Sequence, residues 1–271
     1  MTQRADAALA ARGLARSRTH AQRLIVDGLV TADGAPVVKA STPVADDAEL
    51  AVAGADHYVS RAAHKLIAAL DAFGVDPAGR VALDMGASTG GFTQVLRQRG
   101  AEPVIAVDVG HGQLAASVRD DPGVIAVEGF NVRALSRESL TAAAGTDAVP
   151  DLVTGDLSFI SLTHVLPAAA QTAGVDADHV LLVKPQFEVG RTGVREGIVT
   201  DPGLRADAVA GVLWAAWDAG LGTCGVIASP ILGARGNREL LVHLRGRQTG
   251  VRPGGNPTEW MSTVYERAGA A

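Results

Sequence analysis

One cysteine stands among 271 residues. Cys224 therefore has no disulfide partner within the chain, and no thiolate cluster can be assembled around a metal. A disulfide framework is excluded, and a reducing compartment suits the chain. Long apolar runs are missing too, since none approaches the ~20 residues that a membrane helix needs. Residues 1–13 lack the apolar core of a secretory signal. A cytoplasmic location is the expectation. The seven histidines show no metal-ligand spacing, and no metal is expected. Positive charge is scarce overall, with a formal net charge of −5. That balance excludes a generic nucleic-acid coat.

What is present reads as globular, with 47% hydrophobic and 20% charged residues. Positive charge is also unevenly placed. Arg4, Arg12, Arg16, Arg18 and Arg23 crowd the first stretch of chain. A local basic face on an acidic protein suggests a specific RNA surface, with Arg4, Arg16, Arg18 and Arg23 as its candidate contacts.

The pattern predicts an α/β protein with a small α+β module at residues 1–54. Leu9 lies on the apolar face of a first short helix, which Gly13 ends. Ser17 caps a second helix with Ala21, Leu24 and Ile25 on one side. Leu29 to Ala32, the turn Asp33-Gly34 and Pro36 to Val38 form a hairpin, and Glu49 to Val52 adds a strand. Residues 55–60 read as a linker. Beyond it a helix carries Ala63, Leu66, Ile67 and Leu70 on one face. Short apolar runs then alternate with helix-length segments: Val81–Leu83, Val104–Val107, Val124–Val127, Leu152–Thr154 and Val180–Val183. Such runs are what a parallel sheet covered on both faces requires. Thr223–Ala228 and Leu240–Leu244 are expected to complete the sheet with antiparallel strands. The domain is expected to span 61–249, followed by a flexible tail at 250–271.

The first strand runs into Asp84-Met85-Gly86-Ala87-Ser88-Thr89-Gly90-Gly91-Phe92. In a doubly wound fold the ligand lies at the carboxyl ends of the strands, and glycines let the backbone approach it. The spacing is not that of a dinucleotide fingerprint, and no Gly-Lys-Ser/Thr ending marks a triphosphate loop. Asp84 would repel a phosphate but attract an ammonium group. Asp108, ending the second strand, can accept hydrogen bonds from ribose hydroxyls. Together these features fit S-adenosylmethionine, through Asp84, Gly86, Ala87, Ser88, Thr89, Gly90, Gly91 and Asp108.

Four more polar residues converge if the chain folds this way: Lys65 on the helix before the sheet, Asp156 after the fourth strand, Lys184 after the fifth, and Glu239 entering a late strand. A ribose 2′-hydroxyl is a weak nucleophile that must lose its proton as it attacks a methyl group. A lysine with a depressed pKa can accept or steer that proton, and a second lysine lowers the pKa of the first. Carboxylates hold both amines in place. Taken singly, each residue also has an ordinary reading: Lys184 a solvated cation, Asp156 a cap, Lys65 a side chain snorkelling over the core, Glu239 half of a surface pair. Phe159 reads more readily as core than as a stacking platform. The 187–200 segment, with Arg191 and Arg195, reads either as a mobile loop contacting RNA phosphate or as a solvated loop. Tyr58 could stack on a base or join the domains.

Ser60 to Leu66, Leu83 to Thr93, Ala106 to Gly110, Asp156 to Ser161 and Val183 to Glu188 strongly resemble the TlyA family, in the right order and over nearly the whole chain. The N-terminal module resembles an S4 RNA-binding domain. The resemblance implies a Rossmann-like, FtsJ-like methyltransferase domain and 2′-O-methylation of cytidine in large-subunit ribosomal RNA, with small-subunit RNA an added target of the longer members. It also carries the Lys-Asp-Lys-Glu set onto Lys65, Asp156, Lys184 and Glu239. The linker departs from the family, with Asp56-His57-Tyr58-Val59 where an aromatic, more basic segment is common. Three other functions compete. A haemolysin would need membrane-active segments; a non-catalytic ribosome-assembly factor would not need the four polar residues; a small-molecule methyltransferase would not need the basic module.

Overall fold

The computed structural model describes residues 2–15, 17–26, 28–52, 57–173, 176–190, 193–247 and 254–270. Arg16, Asp56 and Arg191 lie outside them. The chain divides into two compact units, Met1–His57 and Tyr58–Ala271.

The first unit runs β1 (Thr2–Arg4), α1 (Ala5–Ala11), α2 (Arg18–Val26), β2 (Val30–Ala32), β3 (Ala35–Pro36), β4 (Pro43–Ala45) and β5 (Leu50–Val52). Gly13, at φ 72°, turns the chain after α1. Ser17 Oγ accepts from the His20 N–H at 3.2 Å in the first turn of α2, as an N-cap does. Asp33 and Gly34 take φ of 50° and 77°, the twist that a two-residue hairpin turn needs. β2 sits between β3 and β5, and β1 pairs separately with β4, a ladder that the sequence did not suggest. Leu9, Ala21, Ile25, Val30 and Val44 form this unit's own core.

The second unit opens with α3 (Ala63–Phe73), which Gly74 ends at φ 65°. Then come β6 (Ala82–Met85), α4 (Gly91–Gln98), β7 (Val104–Val107), α5 (Ala116–Arg119), β8 (Val124–Val127), α6 (Arg137–Ala144), β9 (Leu152–Gly155), α7 (Leu166–Ala173), β10 (Asp178–Val183), α8 (Pro185–Glu188), α9 (Pro202–Asp218), β11 (Leu221–Ala228), β12 (Leu240–Gly246) and α10 (Met261–Ala268). The sheet has seven strands in the order β11-β12-β10-β9-β6-β7-β8. Five are parallel, and β12 lies antiparallel between β10 and β11. β6, β7, β9 and β10 are buried throughout, which is why they read as unbroken apolar runs. Apolar clusters lie on both faces, around Leu83, Ile105, Val153 and Leu181 on one and Leu66, Phe92, Val104 and Leu182 on the other.

Two expected boundaries change. Tyr58 to Ser60 belong to the second unit rather than to a free linker. Tyr58 packs edge-on to His64, 5.8 Å between centroids, and Val59 N–H donates to Gln94 Oε1 at 2.8 Å. The described part of the expected tail is also structured. Gly255 exchanges backbone hydrogen bonds of 2.9 and 2.8 Å with Thr223, and α10 buries Val264 and Ala268 against α9 and β11. So short a helix needs few apolar residues, and its backbone strap needs only glycines: a Cβ on Gly254 or Gly222 would collide with the other residue's backbone.

Candidate active site

The carboxyl edge of the parallel strands carries the site. Met85 of β6 is in register with Gly155 of β9 and Val107 of β7. Gly86, Asp156 and Asp108 therefore leave the sheet side by side. On the other flank, Val183 of β10 faces Leu240 of β12. The next residues along those strands are Lys184 and Glu239, so the antiparallel insertion of β12 brings Glu239 to the edge. Lys65 reaches the same edge from α3, which packs against β10, β11 and β12.

The four polar residues form two ion pairs. Lys65 Nζ donates to Glu239 Oε2 at 2.6 Å, with the lysine 6% and the glutamate 3% exposed. Lys184 Nζ lies 2.7 Å from Asp156 Oδ1 and donates to Ser158 Oγ at 2.8 Å. Charges this buried persist only when paired, so Lys65 is not the snorkelling surface lysine that its helix position alone allows.

A cavity of about 570 Å³ lies over the edge, lined by Gly86, Ser88, Asp108, Val109, Val132 and Ile160 among others. A smaller one of about 150 Å³ is bounded by Ser60, Thr89, Asp156 and Lys184. The glycine-rich turn shapes both. A Cβ on Gly86 would sit 2.9 Å from Leu157 Cδ2 and 3.3 Å from the Asp156 carbonyl oxygen. Gly90, at φ 96°, starts α4. A Cβ on Gly91 would lie 2.8 Å from Ser60 Cβ, so its absence lets the start of α3, and with it Lys65, close on the turn. Ala87 is buried, packed with Ala106, Leu114 and Val118.

The two acids of the expected cofactor set play different parts. Asp108 accepts from the N–H of Ser88 at 2.8 Å and of Gly110 at 2.7 Å, which fixes its carboxylate at the cavity wall with lone pairs to spare. Asp84 is fully buried and lines neither cavity; its oxygens accept from Thr93 Oγ1 at 2.7 Å and Thr154 Oγ1 at 3.0 Å. Burial pushes its carboxyl up to about 6, against the pull of the two hydroxyls. In this structure its carboxyl group is turned towards those two hydroxyls and braces the turn from below.

Three features around the site were given no role, or a different one, by the sequence. Glu188 accepts from Ser161 Oγ at 2.5 Å and from the Leu162 N–H at 2.9 Å, clamping the chain after Asp156 to the chain after Lys184. Burial raises its pKa. Phe159 corrects the core reading: it is 91% exposed, at φ 63°, with its ring 5.3 Å from that of Phe187. The described part of the 187–200 segment includes a backbone bridge. Arg195 and Ile198 exchange backbone bonds of 3.0 and 2.8 Å around a tight turn.

In the first unit, the expected RNA-facing arginines divide. Asp6 is fully buried and takes Arg4 Nε at 3.0 Å, Arg18 Nη2 at 3.2 Å and Gln22 Nε2 at 2.9 Å, which holds its carboxyl far below the usual range, Arg4 acting most strongly. Arg4 and Arg18 remain half exposed or more. Arg12 is structural, donating to the carbonyls of Ala45, Asp46 and Ala48. Arg23 is exposed on α2.

Residues 58–246 match the FtsJ-like methyltransferase family, and residues 3–50 match the S4 domain. The 16S/23S rRNA (cytidine-2′-O)-methyltransferase TlyA of Mycobacterium tuberculosis is 51% identical over 245 residues, covering 89% of each chain. A solved protein from Streptococcus thermophilus that carries the hemolysin name is 35% identical, with a TM-score of 0.75 over 99% of this chain and 96% of its own. An S-adenosylmethionine-dependent methyltransferase structure from Listeria monocytogenes shares the fold at 15% identity, with a TM-score of 0.51 over 69% of this chain and 99% of its own. Among the described residues, no helix is long and apolar enough to cross a membrane, and no group of three or more His, Cys, Asp or Glu residues is placed to hold a metal ion.

Proposed function

The chain belongs to the FtsJ-like methyltransferase family and, within it, to the TlyA rRNA methyltransferases, and from that premise we propose that it transfers a methyl group from S-adenosylmethionine to a cytidine 2′-hydroxyl in ribosomal RNA. The activity for which the M. tuberculosis relative is named, on 16S and 23S rRNA, supports both subunits as targets and the cytoplasm as the place of work. The observation that carries the reading is the double ion pair at the carboxyl edge of the sheet, Lys65–Glu239 and Lys184–Asp156, with Asp156 also lining a cofactor-sized cavity.

The cavity suits S-adenosylmethionine. Gly86 lines it, and a Cβ there would press on Leu157 and the Asp156 carbonyl, which line it too. The fixed carboxylate of Asp108 is suited to ribose hydroxyls, and Val109 and Val132 supply apolar walls for a purine. Bound there, the cofactor would supply an electrophilic methyl group. The chain's own task is to orient the acceptor hydroxyl and handle its proton. Lys65 and Lys184 are the groups that take or steer it, and Glu239 and Asp156 keep their amines in place. Phe159, exposed beside Lys184, supplies a ring face for a base next to the acceptor. In the first unit, Arg4, Arg18 and Arg23 are the RNA-backbone contacts.

Gly86→Ala tests the cradle. The new methyl group and a φ of 78° both oppose the present turn. The dissociation constant for S-adenosylmethionine is expected to rise roughly tenfold by titration calorimetry, with the fold retained. An unchanged constant would remove Gly86 from the site. The function itself is tested by offering purified large and small ribosomal subunits with labelled S-adenosylmethionine. Label is expected in the RNA; label in neither subunit contradicts the proposal.

A further inference from the structure

Asn237 lies two residues before Glu239 and is buried, yet it belongs to neither ion pair. Both ends of its amide are used. Oδ1 accepts from the Val199 N–H at 3.1 Å, and Nδ2 donates to the Gly197 carbonyl at 2.7 Å. Its own carbonyl accepts from the Gly233 N–H at 2.9 Å, which closes the 229–239 loop on itself. That loop is wrapped tightly around the Glu239 carboxylate: a Cβ on Gly233 would collide with it. The Glu239 carbonyl accepts from the Ser229 N–H at 2.9 Å, tying the other end of the loop.

The wall behind Asn237 is fixed as well. Arg205, on α9, donates to the carbonyls of Val199 at 3.1 Å and Thr200 at 2.8 Å, and twice to that of Ala268, at 3.1 and 2.8 Å. A buried guanidinium satisfied by backbone carbonyls is a fixed post. The 197–200 backbone is thus held between Arg205 and Asn237, and it forms a rigid wall against which Asn237 sets the loop.

We propose that Asn237 is a positioning residue for methyl transfer, its side-chain amide anchoring the 229–239 loop, and with it Glu239, to the 197–200 backbone and so fixing the amine of Lys65. The inference rests on the methyl-transfer reading above. The linkage runs by hydrogen bonds from Arg205 to Val199 and from Val199 to Asn237, then through the backbone of Arg238 to Glu239, whose Oε2 holds Lys65 Nζ at 2.6 Å. The hydrogen-bonded links are buried, so loosening one displaces the next. An ångström at the amine is enough to matter, because proton handling depends on near-contact geometry.

The test is Asn237→Ala in the full chain, with kcat and KM for S-adenosylmethionine measured on ribosomal subunits beside wild type, well below the melting temperature of both. The expected result is a fall in kcat of roughly 10- to 100-fold, with KM for S-adenosylmethionine held within about twofold. A residue that served the fold alone would lower the melting temperature and leave kcat of the folded enzyme in place. Unchanged kcat, or a KM for S-adenosylmethionine that rises in step with the fall in kcat, therefore overturns the positioning role. Should Asn237→Ala fail to fold, Asn237→Ser, which keeps an acceptor for the Val199 N–H, is read by the same criteria. No label from wild type would refute the methyl-transfer reading and take this inference with it, an outcome distinct from an active wild type with an indifferent variant.

Discussion

Lys65→Ala is expected to remove methyl transfer to the limit of detection, a loss of about 1,000-fold or more, while S-adenosylmethionine still binds. The two effects separate because Lys65 lines neither cavity around the glycine turn, whereas Gly86, Ser88 and Asp108 do. The variant also leaves Glu239 buried with no cation, which costs on the order of 3–5 kcal/mol. A loss of activity alone would thus confuse chemistry with folding. Lys65→Ala combined with Glu239→Gln removes the stranded charge. It is expected to recover much of the melting temperature and none of the turnover. Single-turnover transfer, calorimetric titration with S-adenosylmethionine and thermal unfolding are measured on both variants. Near-wild-type turnover in Lys65→Ala would exclude the proton-handling role.

The second large effect is expected from removing residues 1–57. The first unit has its own core and the second its own sheet, so the remainder is expected to fold and to bind S-adenosylmethionine. RNA affinity is expected to fall roughly 10- to 100-fold, and the slope of log affinity against log salt to flatten by about 0.7–0.9 for each phosphate that the protein no longer neutralises. Deletion is a cleaner test than single arginine changes. Arg4 and Arg18 are both cations on the buried carboxylate of Asp6, so replacing either removes one of its partners and mixes an effect on the fold of the unit with any effect on binding. Arg23→Glu is free of that complication and is expected to weaken binding in the same direction. Unchanged RNA affinity and salt slope after the deletion would refute the unit's role in binding.

Much of this was readable from residue order because the physics involved is local or periodic. Strands buried on both faces need unbroken apolar runs, and those runs lie within a residue or two of the seven strands. The glycine turn was visible because a close backbone approach excludes Cβ, and Asp33-Gly34 because the turn needs two positive φ values. Pairings across long stretches of chain were not readable. Nothing in Asp6 says that it is the buried partner of two arginines expected to face RNA. Nothing in Asp84 says that hydroxyls from Thr93 and Thr154 turn it inward, and nothing in Phe159 says that a left-handed backbone holds it out in solvent. The C-terminal helix was missed for a related reason: it is held by a glycine-to-glycine strap and two buried side chains, features with no periodic signature. Glu239 reached the site through the antiparallel insertion of β12, a matter of strand order that a run of apolar residues cannot encode.

The central claim is that the acceptor is a ribose hydroxyl, and the position of the transferred label tests it most directly. Ribosomal RNA labelled by the wild-type chain is hydrolysed in alkali, which cleaves every linkage with a free 2′-hydroxyl. The account predicts label in an alkali-resistant dinucleotide whose 5′ residue is cytidine. Label in single nucleotides would place the methyl group on a base, and the Lys65–Glu239 and Lys184–Asp156 pairs would then have no ribose proton to handle.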